Sequence, residues 1–274
     1  ANLAILRGRG VQILEPEVGR FASGLVGQGR LPETPTLMGF IRRTLAQNGP
    51  LARRRVVVTA GGTKEPLDPV RYITNRSSGR QGYAVAQAAL DAGAEVTLVS
   101  TVEHLPIPTG ATRVKVSSAS EMLEAVLQAA TSADVLIMAA AVADFRPAVV
   151  ATQKIKKSDD NQTGITLELA RTEDILLAVK TLRQQSGYPR CVVGFAAESH
   201  DLLTNAASKL ERKGLDFIVA NDITAPGAGF EVETNRITIL DAAGGRSNYD
   251  LLSKTEVGQV IVERVREMLT DKTS

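Results

Sequence analysis

Five short stretches decide the fold: Arg55–Thr59 (RVVVT), Val96–Ser100 (VTLVS), Val135–Ala141 (VLIMAAA), Cys191–Ala197 (CVVGFAA) and Phe217–Ala220 (FIVA). Each is apolar or β-branched at consecutive positions, so both faces of the strand avoid water. That is the pattern of a parallel sheet covered by helices on both sides. Helical patterns lie between the runs. Gln81 to Gly93 places Tyr83, Ala86 and Leu90 on one face and stops at a glycine. Ser118 with Glu121 forms a capping box for a helix carrying Met122, Leu123, Val126 and Leu127. Leu202 to Lys213 reads as a third helix. The alternation predicts an α/β fold, doubly wound around a mostly parallel sheet. The end departs from it. Arg236–Leu240 (RITIL) alternates, Gly244 and Gly245 turn, and Ser247–Leu251 returns as a hairpin. Ser253 and Glu256 then cap a last helix with Val257, Ile261, Val265 and Met268 inward.

The chain has 274 residues, 43% hydrophobic and 23% charged. At ~100–200 residues per domain this predicts one large domain plus an appendage. The net charge of +2, from 32 basic and 30 acidic residues, is too balanced for bulk nucleic-acid binding. One cysteine, Cys191, excludes a disulfide framework, and with only His104 and His200 beside it a zinc site is not expected. No run of ~18 apolar residues exists, and the opening ANLAILRGRG is too short for a signal peptide. The expectation is a cytoplasmic protein without membrane or nucleic-acid partners. Residues 1–50 are rich in Gly and Pro and end in GPLARRR, which predicts an extended appendage and linker before a domain at 51–274. Position 1 is not Met, so the chain is expected to be a piece of something longer.

The chemistry gathers beyond the strand ends, where open α/β sheets bind ligands. The first strand runs into Gly61-Gly62, and a loop of unusual length, KEPLDPVRYITNRSSG, precedes the helix. Its end, Asn75-Arg76-Ser77-Ser78-Gly79, offers backbone N–H groups and hydroxyls to an anion at a helix N-terminus. The third run passes through Ala139, Ala140 and Ala141 to Asp144; small residues let a ligand approach the backbone. Lys154-Ile155-Lys156-Lys157 suits a polyphosphate. Strand period would place Lys154 and Lys156 on one face. Lys209 and Lys213 share a helix face, and Asn221-Asp222 ends the fifth run. Each feature also has a structural explanation: a tight turn, a serine cap, a turn carboxylate, solvated lysines. Together they point to a nucleoside triphosphate with Mg²⁺. There is no GxxxxGK[ST] loop. A nicotinamide-dependent oxidoreductase would need GxGxxG and an acid after the second strand, where Ser100-Thr101 stands instead. A non-catalytic binding protein that merely kept the fold is the other alternative.

GGTKEPLDPVRYITNRSSGRQG from Gly61, AAAVADFRP from Ala139, KIKK from Lys154, VGFAAES from Val193 and K-x-x-x-K-G-L-D-x-I-V-A-N-D from Lys209 resemble phosphopantothenoylcysteine synthetase. In bacteria this enzyme is the C-terminal half of a bifunctional phosphopantothenoylcysteine decarboxylase/phosphopantothenate–cysteine ligase of coenzyme A biosynthesis. The resemblance runs from about Arg54 to Leu269 and implies a Rossmann-like fold. Val18–Glu33 is similar to the end of the flavin-dependent decarboxylase. Ser23 stands where that tail usually carries the cysteine of an A-C-G motif, and FMN is expected only in the part that precedes this chain, so no decarboxylase activity is expected here. Family membership implies that 4′-phosphopantothenate and L-cysteine are ligated with CTP through an acyl-cytidylate. It implies that Asn75 engages this intermediate and that Lys154 supports activation at the triphosphate. Ala139–Ala141, Asp144, Phe195, Lys209 and Lys213 match nucleotide-binding positions. So does Glu173-Asp174-Ile175-Leu176, although Thr172-Glu173 replaces the common Asn-Pro. Gly61, Gly62, Ser77, Ser78 and Gly79 would hold phosphates. Mg²⁺ would accompany the nucleotide, with no ligand residues assigned. A homodimer with the KIKK region near the partner is implied, and a larger assembly for the full-length fusion.

Overall fold

The computed structural model describes residues 2–21, 23–156, 164–198, 202–222 and 233–271. An eight-stranded sheet organises them. Its strands are β1 (Arg55–Ala60), β2 (Glu95–Ser100), β3 (Thr112–Lys115), β4 (Val135–Met138), β5 (Cys191–Glu198), β6 (Phe217–Asp222), β7 (Thr234–Asp241) and β8 (Arg246–Ser253). They lie in the order β8-β7-β6-β5-β4-β1-β2-β3. Pairing is parallel from β3 through β6 and antiparallel from β6 to β7 and β8. The fold is the doubly wound, mostly parallel sheet with a C-terminal hairpin that the five apolar runs predict.

Consecutive residues of each buried strand feed opposite cores. Val56, Val58 and Ala60 of β1 pack with α1 (Arg80–Asp91) and α5 (Lys254–Asp271). Val57 faces the other way, into the cluster shared with α2 (Ala119–Ala130), α3 (Ile175–Ser186) and α4 (Leu202–Lys213). This is the period of two that places alternate side chains on opposite sheet faces. The expected capping boxes are present. Ser118 Oγ accepts from Glu121 N, and the Glu121 carboxylate accepts from Ser117 N. Ser253 and Glu256 cap α5 reciprocally. Val257, Ile261 and Val265 are buried.

Three features differ from the sequence reading. β3 was not expected: its sequence, TRVK, lies at the sheet edge and never becomes fully buried, so it carries no apolar run. The long loop after β1 holds a hairpin of Lys64–Pro66 on Tyr72–Thr74. Residues before 50 are not extended. They form helices Asn2–Gly8 and Thr34–Leu45 and a hairpin of Glu17–Arg20 on Val26–Arg30. The second helix is anchored by Arg42, whose guanidinium donates twice to the Asp91 carboxylate, at 3.0 and 2.6 Å. That contact is 49 residues distant in sequence, which is why composition did not show it.

Ile137 sits in β4, the strand shared by both halves of the sheet, and is fully buried. Ile137→Ala is expected to cost about 2–5 kcal/mol of stability through lost transfer energy and the cavity left behind. Urea unfolding should show a lower midpoint at an unchanged slope.

Candidate active site

The strand order reverses between β1 and β4, and the chain leaves these two neighbours in opposite directions. Open α/β sheets have their crevice at such a point, beyond the carboxyl ends of the strands. Here the crevice is a cavity of about 740 Å³.

Its first wall is Ala139–Asp144, the chain leaving β4. The backbone of this wall is stitched to the loop after β1. Ala140 N donates to Thr59 Oγ1 at 3.0 Å and Ala143 N to Thr63 Oγ1 at 2.9 Å, and both threonines are fully buried. Ala141 N donates to Gly61 O at 2.8 Å. Alanines keep the wall thin, and Asp144 stands exposed at its end. Gly61 and Gly62 do not line the cavity; they lie behind this wall. A Cβ on Gly62 would stand 2.6 Å from the Asn75 carbonyl oxygen, so the glycine lets two loop segments touch.

Asn75, Ser77, Ser78 and Gly79 form the second wall. Asn75 Nδ2 donates to Val142 O at 3.1 Å. Its neighbours on that side are carbonyls, so the amino group must face them, and Oδ1 accepts nothing among the described residues. A serine cap was the structural alternative for Ser77-Ser78. The N-cap of α1 is instead Gly79, at φ 74°, with no side-chain cap. The N-cap residue thus supplies no side-chain oxygen to the first turn of the helix.

The third wall is Arg171–Leu177 with Phe195 of β5 and Lys209 and Lys213 of α4. Thr172 Oγ1 donates to Ala143 O at 2.6 Å and Thr172 N to Asp144 O at 3.0 Å, which ties this segment to the first wall. Glu173, Asp174, Ile175 and Leu176 all line the cavity. Asp174 caps α3 by accepting from Leu177 N, and it pairs with Lys213 Nζ at 3.2 Å.

Lys154 is placed elsewhere. It is exposed, lies outside this cavity, and its stretch carries no strand through Lys156, so the face expected from strand period does not exist. Ile155 clamps it to the tip of the hairpin after β1: Ile155 N donates to Asp68 Oδ2 at 3.2 Å, and Arg71 Nη2 donates to Ile155 O at 2.9 Å. Asp68 is the anchor. The Arg71 guanidinium, 2.6 Å away, and then the backbone N–H groups of Val70, Ile155 and Arg71 hold its carboxyl well below the usual carboxylate range. Lys157, His200 and Ser199 lie outside the described residues.

A fourth wall joins Asn221, which the sequence reading placed at the ligand edge, to Gln81, Asn235 and Lys254, which it missed. Its amides form a chain. Asn221 Nδ2 donates to Asn235 Oδ1 at 3.3 Å, Asn235 Nδ2 to Gln81 Oε1 at 2.9 Å, and Gln81 Nε2 to the Lys254 carbonyl at 3.1 Å. The Lys254 carbonyl fixes the direction of the whole chain, because only an amino group can face it. Asn221 Oδ1 is thereby left buried in the cavity wall with no partner in the protein. The position of Asn221 at a strand end was the only signal in the sequence. Gln81 and Lys254 look like ordinary first-turn helix residues.

Fold and site together define a doubly wound protein whose charged and amide groups converge on one crevice at the point where the strand order reverses. The chain belongs to the family of the DNA/pantothenate metabolism flavoprotein C-terminal domain, whose pattern matches residues 51–269. It is 44% identical over 268 residues to the coenzyme A biosynthesis bifunctional protein CoaBC of Vibrio cholerae, covering 98% of this chain and 66% of that protein. The chain thus spans slightly under two thirds of that relative. The crystal structure of the C-terminal domain of a CoaBC protein superposes with a TM-score of 0.65 at 40% identity, covering 80% of this chain and 96% of that one. A complex of a mutant Cab2 with phosphopantothenate-cysteine shares the fold at 15% identity and a TM-score of 0.62, covering 89% of this chain and 97% of that one. Among the described residues, no helix is long and apolar enough to cross a membrane.

The Asp68 anchor predicts a pH signature. A carboxyl depressed in the folded state stabilises fully above its unfolded pKa, about 3.9, and the contribution disappears as pH falls below it. Asp68→Asn should therefore lose stability at neutral pH and show a shallower further loss than the parent between about pH 4 and 2, as read from thermal midpoints across that range.

Proposed function

We propose that this chain ligates 4′-phosphopantothenate to L-cysteine with CTP, as the coenzyme A biosynthetic relatives and the family motifs suggest. The observation that carries the reading is the convergence on one cavity of Asn75, the uncapped N-terminus of α1, the alanine wall and Lys209 with Lys213. A carboxylate, a triphosphate and an amine must meet there, and the protein's contribution is positioning and charge stabilisation.

A carboxylate oxygen of 4′-phosphopantothenate attacks the α-phosphorus of CTP, forming a C–O–P linkage while the bond to pyrophosphate breaks. The cysteine amine then attacks the acyl carbon of the acyl-cytidylate. CMP leaves, and the amine proton passes to solvent. Asn75 spends its amino group on the Val142 carbonyl. The group it offers is Oδ1, an acceptor for an N–H or O–H of the intermediate. Asp144 and the alanine wall take base and ribose, Phe195 packs against the nucleotide, and Glu173–Leu176 present backbone at the start of α3. Lys209 and Lys213 face the phosphates, with Asp174 holding Lys213 in place. Among the described residues no three His, Cys, Asp or Glu side chains are grouped for a metal. Phosphate oxygens and water would thus hold Mg²⁺, which would supply charge neutralisation.

Lys154 stands outside the cavity of its own chain, and we assign it to the cavity of a second copy in a homodimer. In that reading it supports the activation step across the interface. A larger assembly would follow in a full-length fusion.

The test is pyrophosphate release with 4′-phosphopantothenate and Mg²⁺, comparing CTP with ATP, with and without cysteine. Release preferring CTP and completed by cysteine supports the reading; release with neither nucleotide overturns it. Lys154→Gln should slow intermediate formation about 100-fold or more with an unchanged melting temperature. Asn75→Asp should still consume CTP but stall at the intermediate. Mixing these two variants should restore about a quarter of parental turnover if Lys154 acts across the dimer, because one site of each mixed dimer is intact; no recovery would place Lys154 in its own chain's site.

A further inference from the structure

A second cavity, of about 670 Å³, opens at the sheet edge opposite the crevice, a size that suits a small-molecule ligand. It lies where β1, β2 and β3 begin: their first residues, Arg55, Glu95 and Thr112, all line it. The helix Thr34–Leu45 adds Arg43, and the connection ahead of β1 adds Arg53. Gly110 makes room for the first of these, since a Cβ there would stand 3.0 Å from Arg43 Cδ. Arginines from the appendage and from the domain thus border one space.

Pairing sorts the arginines of this region. Arg42 is held by Asp91 and Arg54 by Asp134. Their sequence neighbours Arg43, Arg53 and Arg55 have no side-chain ion pair or hydrogen bond among the described residues. Glu95 is the one carboxylate in the lining, opposite Arg55 in the β1–β2 register, so it offsets one charge and leaves two. Arg53 also stands at φ 65°, the one positive value among the described non-glycine residues. The turn is imposed by Leu51, which is buried; its N–H donates to Ala92 O at 2.8 Å, and its carbonyl accepts from Arg54 N at 3.0 Å. That backbone favours glycine and gives no reason for an arginine. Helix ends account for part of the charge. α1 and α2 both finish at this edge, reaching the cavity through Gly93 and Ser132, and cations are favourable at such ends. They do not account for three guanidinium groups beside one cavity, where like charges repel.

We propose that this cavity is a second anion site, taking a small molecule with two or more linked phosphoryl groups between Arg43 on the appendage helix and Arg53 and Arg55 ahead of the sheet. A planar guanidinium presents paired donors to phosphate oxygens. Linked phosphoryl groups supply the negative charge that Glu95 alone does not. A ligand held there ties the helix Thr34–Leu45 to the domain. The site is separate from the crevice and does not rest on the ligase reading.

Calorimetric titration of the intact chain with inorganic tripolyphosphate tests this. The crevice is the same in parent and variants, so a difference between them belongs to this cavity. Arg43→Gln/Arg55→Gln should take up one fewer tripolyphosphate per chain, or bind it at one site about tenfold or more weakly, as lost charge-assisted contacts predict. Arg53→Gly removes a charge and suits the backbone; it should weaken the same site without lowering the melting temperature. Displacement of tripolyphosphate from that site by ADP identifies a nucleotide as the ligand, and displacement by pyrophosphate alone identifies a bare oligophosphate; either supports the proposal. Equal stoichiometry and affinity in parent and variants overturns it. A lowered melting temperature with unchanged uptake overturns it too, and returns the arginines to the helix ends. Should the double variant not fold, Arg53→Gly alone is judged by the same two readings.

Discussion

Where β1 and β4 end, their backbone groups lose their sheet partners while still inside the protein. A buried, unpaired N–H or C=O is costly, so the chain must find replacements at that point. Two buried threonines supply them. Thr59 and Thr63 accept from Ala140 N and Ala143 N, and Gly61 O takes Ala141 N. This stitching lets the two loops part in opposite directions without leaving polar groups stranded. The crevice is the space between them, and its thin alanine wall follows from the same requirement, because larger side chains would fill it.

Electrostatics then decides what the space suits. Asp174 holds Lys213 at the cavity while also capping α3. One side chain thus couples the orientation of a helix to that of a cation. On the opposite wall the chain Asn221–Asn235–Gln81 ends on the Lys254 carbonyl. Buried amide networks set orientation because each member has one correct way round. Here the direction is imposed at one end and expressed at the other, as a free acceptor in the wall.

Much of this was legible in the residues. The five apolar runs became five parallel strands because burial on both faces is written directly in consecutive β-branched and aliphatic residues. The capping boxes at Ser118 and Ser253 were readable because their partners lie three residues away. Most residues singled out for ligand contact line one cavity, since strand-end loops can face only one edge of the sheet. What misled was local reasoning about nonlocal facts. Gly61 and Gly62 suggested a phosphate loop, whereas packing against Asn75 and the chain after β4 explains Gly62. For Ser77-Ser78 the alternative to an anion site, a serine cap, does not form, because Gly79 occupies that position at positive φ. The helix Thr34–Leu45 was read as linker because its hold on the domain, Arg42 on Asp91, spans 49 residues.

The sequence by itself determined the five buried parallel strands, the capped helices and the sheet edge at which the candidate site lies, because each depends on periodicity or on neighbours within a few positions. Only the tertiary structure decided the strand order and therefore the cavity. It also moved Lys154 out of that cavity and brought Gln81, Asn221, Asn235 and Lys254 into one wall. These residues come from four separate segments of chain. Their meeting rests on the packing of α5 on α1 and the pairing of β6 with β7, and side-chain chemistry at such distances acquires its meaning only after the backbone has closed.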